Sequence, residues 1–225
     1  MRHLSFYKEI VMKIAISLAL MLLSLAVHAG DLPADLRELQ HAWAHANYQI
    51  EDEARKEAAF EELEKQAAAL KAAYPGRAEA LIWEGIVLSS YAGVKGGLGA
   101  LGLVKRARAD YERAIDIDGR ALVGSAHTSL GVLYYKVPGW PLSFGDDDKA
   151  ENHLKQALAI NPGGIDPNYF YAEFLIEERE EYQTAKPYLE KALAASDRSE
   201  RPVADAGRRA EARALQHRLW ANLNE

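Results

Sequence analysis

The chain of 225 residues contains no cysteine, and only three methionines and eight prolines. Without cysteine it has no disulfide framework, no thiolate metal centre and no thiol nucleophile, so the core alone must hold the fold. Beyond residue 30 there is no apolar run long enough to cross a bilayer, and stretches alternating β-branched with polar residues are scarce. A surplus of cations is missing as well: 27 Lys and Arg stand against 33 Asp and Glu, a net charge of −6. That balance argues against nucleic acid, whose phosphates need a basic face, and against simple electrostatic docking on anionic lipid.

The one long apolar run lies at the start. From Met12 the chain reads "MKIAISLALMLLSLAVHAG", with Lys13, then apolar residues from Ile14 to Val27, then small residues at Val27 and Ala29. This is the pattern of a secretory signal peptide, with cleavage expected after Ala29 and Met12 as the expected start. An uncleaved N-terminal anchor is the alternative, but the run is short for a membrane span. Removing residues 1–29 takes away Arg2, Lys8, Lys13 and Glu9, leaving 24 basic and 32 acidic side chains, a net of −8. The mature chain, residues 30–225, is one domain's length, and the expected location is the periplasm.

From Asp35 onward, apolar residues recur at helical spacing and Ala, Leu and Glu dominate, as a helical chain requires. A short motif repeats three times. "ARADYERA" places Ala107, Tyr111 and Ala114 four and then three residues apart; "AENHLKQALAINP" does so with Ala150, Leu154 and Ala157; "AKPYLEKA" does so with Ala185, Leu189 and Ala192. Each unit follows a helix with a small residue at its crossing point: Gly85, Gly131 and Ala172. A small residue lets the paired helix approach closely while large neighbours fill the grooves. The pattern resembles the tetratricopeptide repeat, and it predicts an all-α array of antiparallel helix hairpins. The units are expected at about 35–75, 78–119, 122–162 and 165–197, with a C-terminal capping helix over 203–223. Asp166-Pro167 reads as one helix start, and Asp148 with Glu151 as a capping box.

Two segments exceed the repeat. "GVKGGLGALG" adds about ten residues between Gly85 and Ala107, and "VPGWPLSFG" about seven between Gly131 and Ala150. Both fall at the turn inside a hairpin, so both are expected as neighbouring loops at one edge, where repeat arrays carry binding surfaces.

The stretch "PGWPLSFGDDDKAENHLKQALAINPGGIDPNYFYAEFL" resembles the T-component (TatT) family associated with TRAP transporters, and the likeness runs from about Leu36 to Leu219. That resemblance implies hairpins around a central cleft or pore, association with a periplasmic solute-binding protein, and a small, partly apolar organic ligand. The chain lacks the lipoprotein cysteine, so membrane anchoring does not carry over. By repeat register the concave face takes Glu79, Ile82, Ile86, Ser89 and Ser90, then Ser125, Thr128, Val132, Tyr135 and Lys136, then Asp166, Tyr169, Glu173, Ile176 and Glu177. From these and the loop, the candidate ligand- or partner-binding residues are Ile86, Ser90, Tyr135, Lys136, Trp140, Phe144, Tyr169 and Glu173. Competing with this are Tyr135 and Tyr169 as half-buried wall residues, and the loop aromatics as a small satellite cluster.

Other motifs carry less. Gly97-x-Gly99-x-x-Gly102 matches the dinucleotide fingerprint, but a helix precedes it and no βα alternation follows. His41 and His45 are one turn apart and make half a metal site; solvated or wall histidines fit better. Asp146, Asp147 and Asp148 lack the spacing of a calcium loop and suit helix capping. No nucleophile elbow or Ser/His/Asp grouping is visible, so no enzyme, catalytic residue, metal or cofactor is expected. Two functions remain: a periplasmic transporter accessory whose cleft takes a ligand or a solute-binding protein, with Trp140, Leu142 and Phe144 walling an apolar pocket and "GVKGGLGALG" as its gate, or an adaptor in envelope assembly holding a partner peptide on its concave face.

Overall fold

The computed structural model describes residues 32–223, so the expected signal segment lies outside the described residues. Among these there are nine α-helices: α1 Leu32–Tyr48, α2 Glu53–Ala73, α3 Ala78–Lys95, α4 Gly97–Asp118, α5 Ser125–Lys136, α6 Asp147–Ile160, α7 Ile165–Glu177, α8 Tyr182–Ala194 and α9 Pro202–Leu223. A 3₁₀ turn, Ala121–Gly124, precedes α5. Among the described residues no helix is long and apolar enough to cross a membrane.

The repeated motif is the buried stripe of the second helix in three hairpins. Ala107, Tyr111 and Ala114, then Ala150, Leu154 and Ala157, then Ala185, Leu189 and Ala192 are all fully buried. Spacing of four and three residues puts each triplet on one helical face. The crossing glycines are explained by contact. A Cβ on Gly85 would lie 2.5 Å from the Tyr111 ring, and one on Gly131 would lie 2.8 Å from Leu154 Cγ. Neither position has room for a larger residue.

The hairpins are α1/α2, α3/α4, α5/α6 and α7/α8, and contacts between helices divide them into two shells. Each of α2, α4, α6 and α8 packs against the two inner helices flanking it. The inner helices contact one another in order: α1 with α3, α3 with α5, α5 with α7, α7 with α9, and α9 with α1. The last contact closes the array into a ring. Gly207 of α9 sits against the Tyr48 ring at the end of α1, and His41 Nε2 lies 2.8 Å from the Glu200 carbonyl oxygen. The capping helix therefore covers two open ends at once.

The first excess segment is not the edge loop its glycines predict. Gly96 and Gly97 take φ of +62° and +58° and reverse the chain at once, and "GLGALG" is the first part of α4. Two interior glycines cost a helix about 1 kcal/mol each. Burying Leu103 and Val104 returns about 1.5–3 kcal/mol apiece, so helix wins. The segment expected to be a loop gate is therefore helical. The second excess is a loop, tied by Gly145 N–H to Pro138 O (3.0 Å) and Asp146 N–H to Tyr134 O (2.9 Å).

Two helix starts also differ from expectation. Asp146, not Asp148, caps α6, its side chain accepting from the Lys149 N–H at 3.0 Å. Helix α7 begins at Ile165 after Gly164, which leaves Asp166 inside the first turn and free to pair elsewhere.

Candidate functional site

The ring lines a half-open cavity of about 460 Å³, within the roughly 300–1,000 Å³ of small-molecule pockets. Its apolar wall comes from Trp43 on α1, Trp83 and Ile86 on α3, Tyr111 on α4, Val132 and Leu133 on α5, and Phe170 on α7. The aromatic side is locked in place. Trp43 and Trp83 meet edge to face at 5.7 Å, and Trp43 Nε1 donates to Ser90 Oγ at 2.9 Å. Ser89 Oγ donates to Gly85 O at 2.8 Å and lies 3.1 Å from the Tyr111 hydroxyl. Ser125, Thr128 and Ser129 add hydroxyls along α5. The rim beside them is strained: Leu122 and Val123 both have positive φ, which is unusual for a branched residue.

The polar end of the cavity is built where α7 meets α9. Asp166 accepts from Arg198 at 2.9 Å and from Arg208 at 3.0 Å. Arg198 also pairs with Asp205, and Arg208 with Glu211 at 2.6 Å. Burial pushes the Asp166 carboxyl upward, but Arg208 and Arg198 outweigh it and hold the group below its ordinary range. Arg208 lies over the rings of Phe170 and Tyr169, at 4.2 and 4.7 Å. Arg201 is held differently, over the Trp83 ring at 5.1 Å.

Of the sequence-predicted residues, Ile86 and Ser90 line this cavity, together with Ser89, Ser125, Thr128, Val132 and Asp166 from the repeat register. Tyr135, Lys136, Tyr169 and Glu173 gather elsewhere, in a separate polar cluster between α5 and α7. Glu173 accepts from Tyr135 at 2.6 Å and Tyr169 at 2.8 Å, and Lys136 pairs with Glu173 at 3.2 Å and Glu177 at 2.7 Å. Burial raises Glu173, yet Lys136 and the two hydroxyls bring it below its usual value.

The loop aromatics are outside the cavity. Trp140 is 89% exposed and Leu142 70%, while Phe144 packs edge to face on Tyr134 at 5.9 Å beneath Arg108. The concavity beside them takes Tyr134, Tyr135, Val137 and Pro138 together with Asp146, Asp147, Asp148 and Arg179, and neither Trp140 nor Phe144 lines it. Asp146 caps α6, while Asp147 and Asp148 pair with Arg179 at 3.9 and 3.1 Å. His45 pairs with Gln49, and no group of three or more His, Cys, Asp or Glu among the described residues is placed to hold a metal ion.

Sequence reasoning misses Trp43, Trp83, Phe170 and the three arginines. The arginines carry a signal, since Arg198, Arg201 and Arg208 crowd the start of a helix that the repeat pattern assigns only to capping.

A closed double shell of helix hairpins is a tetratricopeptide-like array. Its fold is similar to that of a thermophilic tetratricopeptide-repeat protein from Thermus thermophilus, with a TM-score of 0.54 at 16% identity over 87% of this chain and 100% of that one. A search of curated proteins finds none that matches. The sequence model described as TRAP transporter T-component matches residues 35–218, and the chain belongs to that family.

Proposed function

We propose that the protein is a periplasmic transporter accessory that holds a small, partly apolar ligand in the central cavity and hands it to, or receives it from, a solute-binding protein. The observation that carries this reading is the cavity itself: five inner helices surround it, indoles and a phenyl ring line it, and serines supply polar handles. Family membership supports the transporter role, and the N-terminal pattern of Lys13 and the apolar run supports export. The exposed Trp140 and Leu142 are the surface we assign to the solute-binding protein, since large apolar side chains left in water favour a partner. The closure of α9 on α1 counts against the adaptor reading, because a peptide needs an open concave groove.

The test uses N-phenyl-1-naphthylamine, a neutral fluorescent apolar probe. Its emission should rise on binding the purified protein and stay low with Val132→Trp, which fills the cavity, once circular dichroism shows that variant folded. Probe fluorescence that rises equally with Val132→Trp would place binding elsewhere and refute the reading.

A further inference from the structure

Three arginines approach the cavity from the α9 side, and two are neutralised. Arg198 has Asp166 and Asp205, and Arg208 has Asp166 and Glu211. Among the described residues Arg201 has no carboxylate partner. Its Nε is buried without a hydrogen-bond partner in the protein, and its guanidinium lies on the Trp83 ring that forms the cavity wall. A buried guanidinium donor left unpaired is costly, and a bound anion relieves that cost by accepting from it.

Resting on the cavity reading above, we propose that the ligand is an amphiphile with a single anionic head group, and that Arg201 is its counter-ion while Trp43, Trp83 and Phe170 cover its apolar body. The head group is limited to one charge by the neighbours. Asp166 lines the same cavity, so a second acidic group on the ligand would meet a carboxylate instead of a free cation. Arg201 is also the one of the three that its surroundings push down: burial and the Arg198 charge disfavour its cation, more than Asp166 and Asp205 support it. A ligand anion reverses that balance. The remaining charges close by, Arg198, Arg208, Asp205 and Glu211, are already engaged with one another or with Asp166.

The experiment displaces N-phenyl-1-naphthylamine with decanoate, decanol and decyltrimethylammonium, on the full chain and its Arg201→Met and Arg201→Lys variants. Arg201→Met keeps an apolar side chain against Trp83 and removes the charge; Arg201→Lys keeps a charge. The expected result is decanoate displacing the probe at roughly tenfold to hundredfold lower concentration than decanol, as a charged hydrogen bond commands. That preference should vanish in Arg201→Met, survive in part in Arg201→Lys, and leave decanol unchanged throughout. Decanoate and decanol competing equally in the unmodified protein, or a preference that survives Arg201→Met, would overturn the anion assignment and leave the cavity reading standing. Failure of the probe and all three amphiphiles to enter would remove both.

Discussion

Gly207 on α9 faces the ring of Tyr48 at the end of α1 so closely that a Cβ on the glycine would overlap the ring. The two residues stand at the seam where the last helix meets the first, which makes an array of hairpins into a ring with an inside. Tyr48 is partly buried at this seam, and that burial raises its hydroxyl to about 12.

Gly207→Ala should therefore destabilise the protein by about 1–3 kcal/mol, the usual cost of forcing extra carbon into a packed site. Urea unfolding followed by circular dichroism checks this. Pairing the change with Tyr48→Ala should cost less than the two single effects combined, because the truncated ring leaves room for the new methyl. Strict additivity would mean the two side chains do not meet.

Gly131→Ala should be similarly costly, about 1–3 kcal/mol, since the new methyl would strike Leu154 and the Ala150 carbonyl oxygen. Leu154→Ala, at a fully buried position, should cost about 2–5 kcal/mol. Thermal melts that left either variant unchanged would show that the repeat motif does not hold the hairpin together.

These positions are legible in the sequence because packing at a helix crossing demands small residues at fixed spacing, and that demand repeats. The A-x3-[Tyr/Leu]-x2-A stripe and the glycines facing it follow from periodicity alone. The "GLGALG" segment misleads because glycine weakens a helix locally, whereas Leu103 and Val104 bury only once α3 lies alongside. The cavity is half legible. Ile86, Ser90, Thr128 and Val132 follow from repeat register, but Arg201 and Arg208 reach the site only because α9 folds back onto α1, a long-range closure that no local spacing encodes. Trp140 misleads for the opposite reason. An aromatic residue in a loop reads as an anchor, and here only Phe144 anchors, leaving Trp140 in solvent.

The partner surface proposed for the loop can be tested apart from stability. Trp140→Ser with Leu142→Ser should shift stability by no more than about 0.5 kcal/mol, as expected for exposed side chains. It should also leave N-phenyl-1-naphthylamine binding intact, while weakening capture of the solute-binding protein in a pull-down with the purified partner. Loss of probe binding in this variant would move the ligand site to the loop.

Acid should weaken the fold through one pair of histidines. His127 and His153 face each other with Nδ1 atoms 3.0 Å apart, and His153 stacks on Tyr134. Burial lowers both, and with the neighbouring His127 it brings His153 to about 4, with Glu112 opposing. Above pH 6.5 both are neutral, folded or unfolded, and the fold keeps its full stability. Below 6.5 the unfolded chain takes up protons that the folded chain resists, so stability falls progressively as pH drops from 6.5 toward 4. For His153, which is only half-buried, the loss is about 1–2 kcal/mol. His153→Phe keeps the stacking and should flatten the decline between about pH 7 and 5. An unaltered pH profile in that variant would assign the acid sensitivity elsewhere.

The central claim is that the ring holds a small molecule, and native against denaturing mass spectrometry of the gently purified protein tests it most directly. An added mass that disappears on denaturation, and is missing from folded Val132→Trp, is the expected result. A bare chain mass for the unmodified protein after incubation with cell-envelope extract, or an adduct that persists in Val132→Trp, would contradict it.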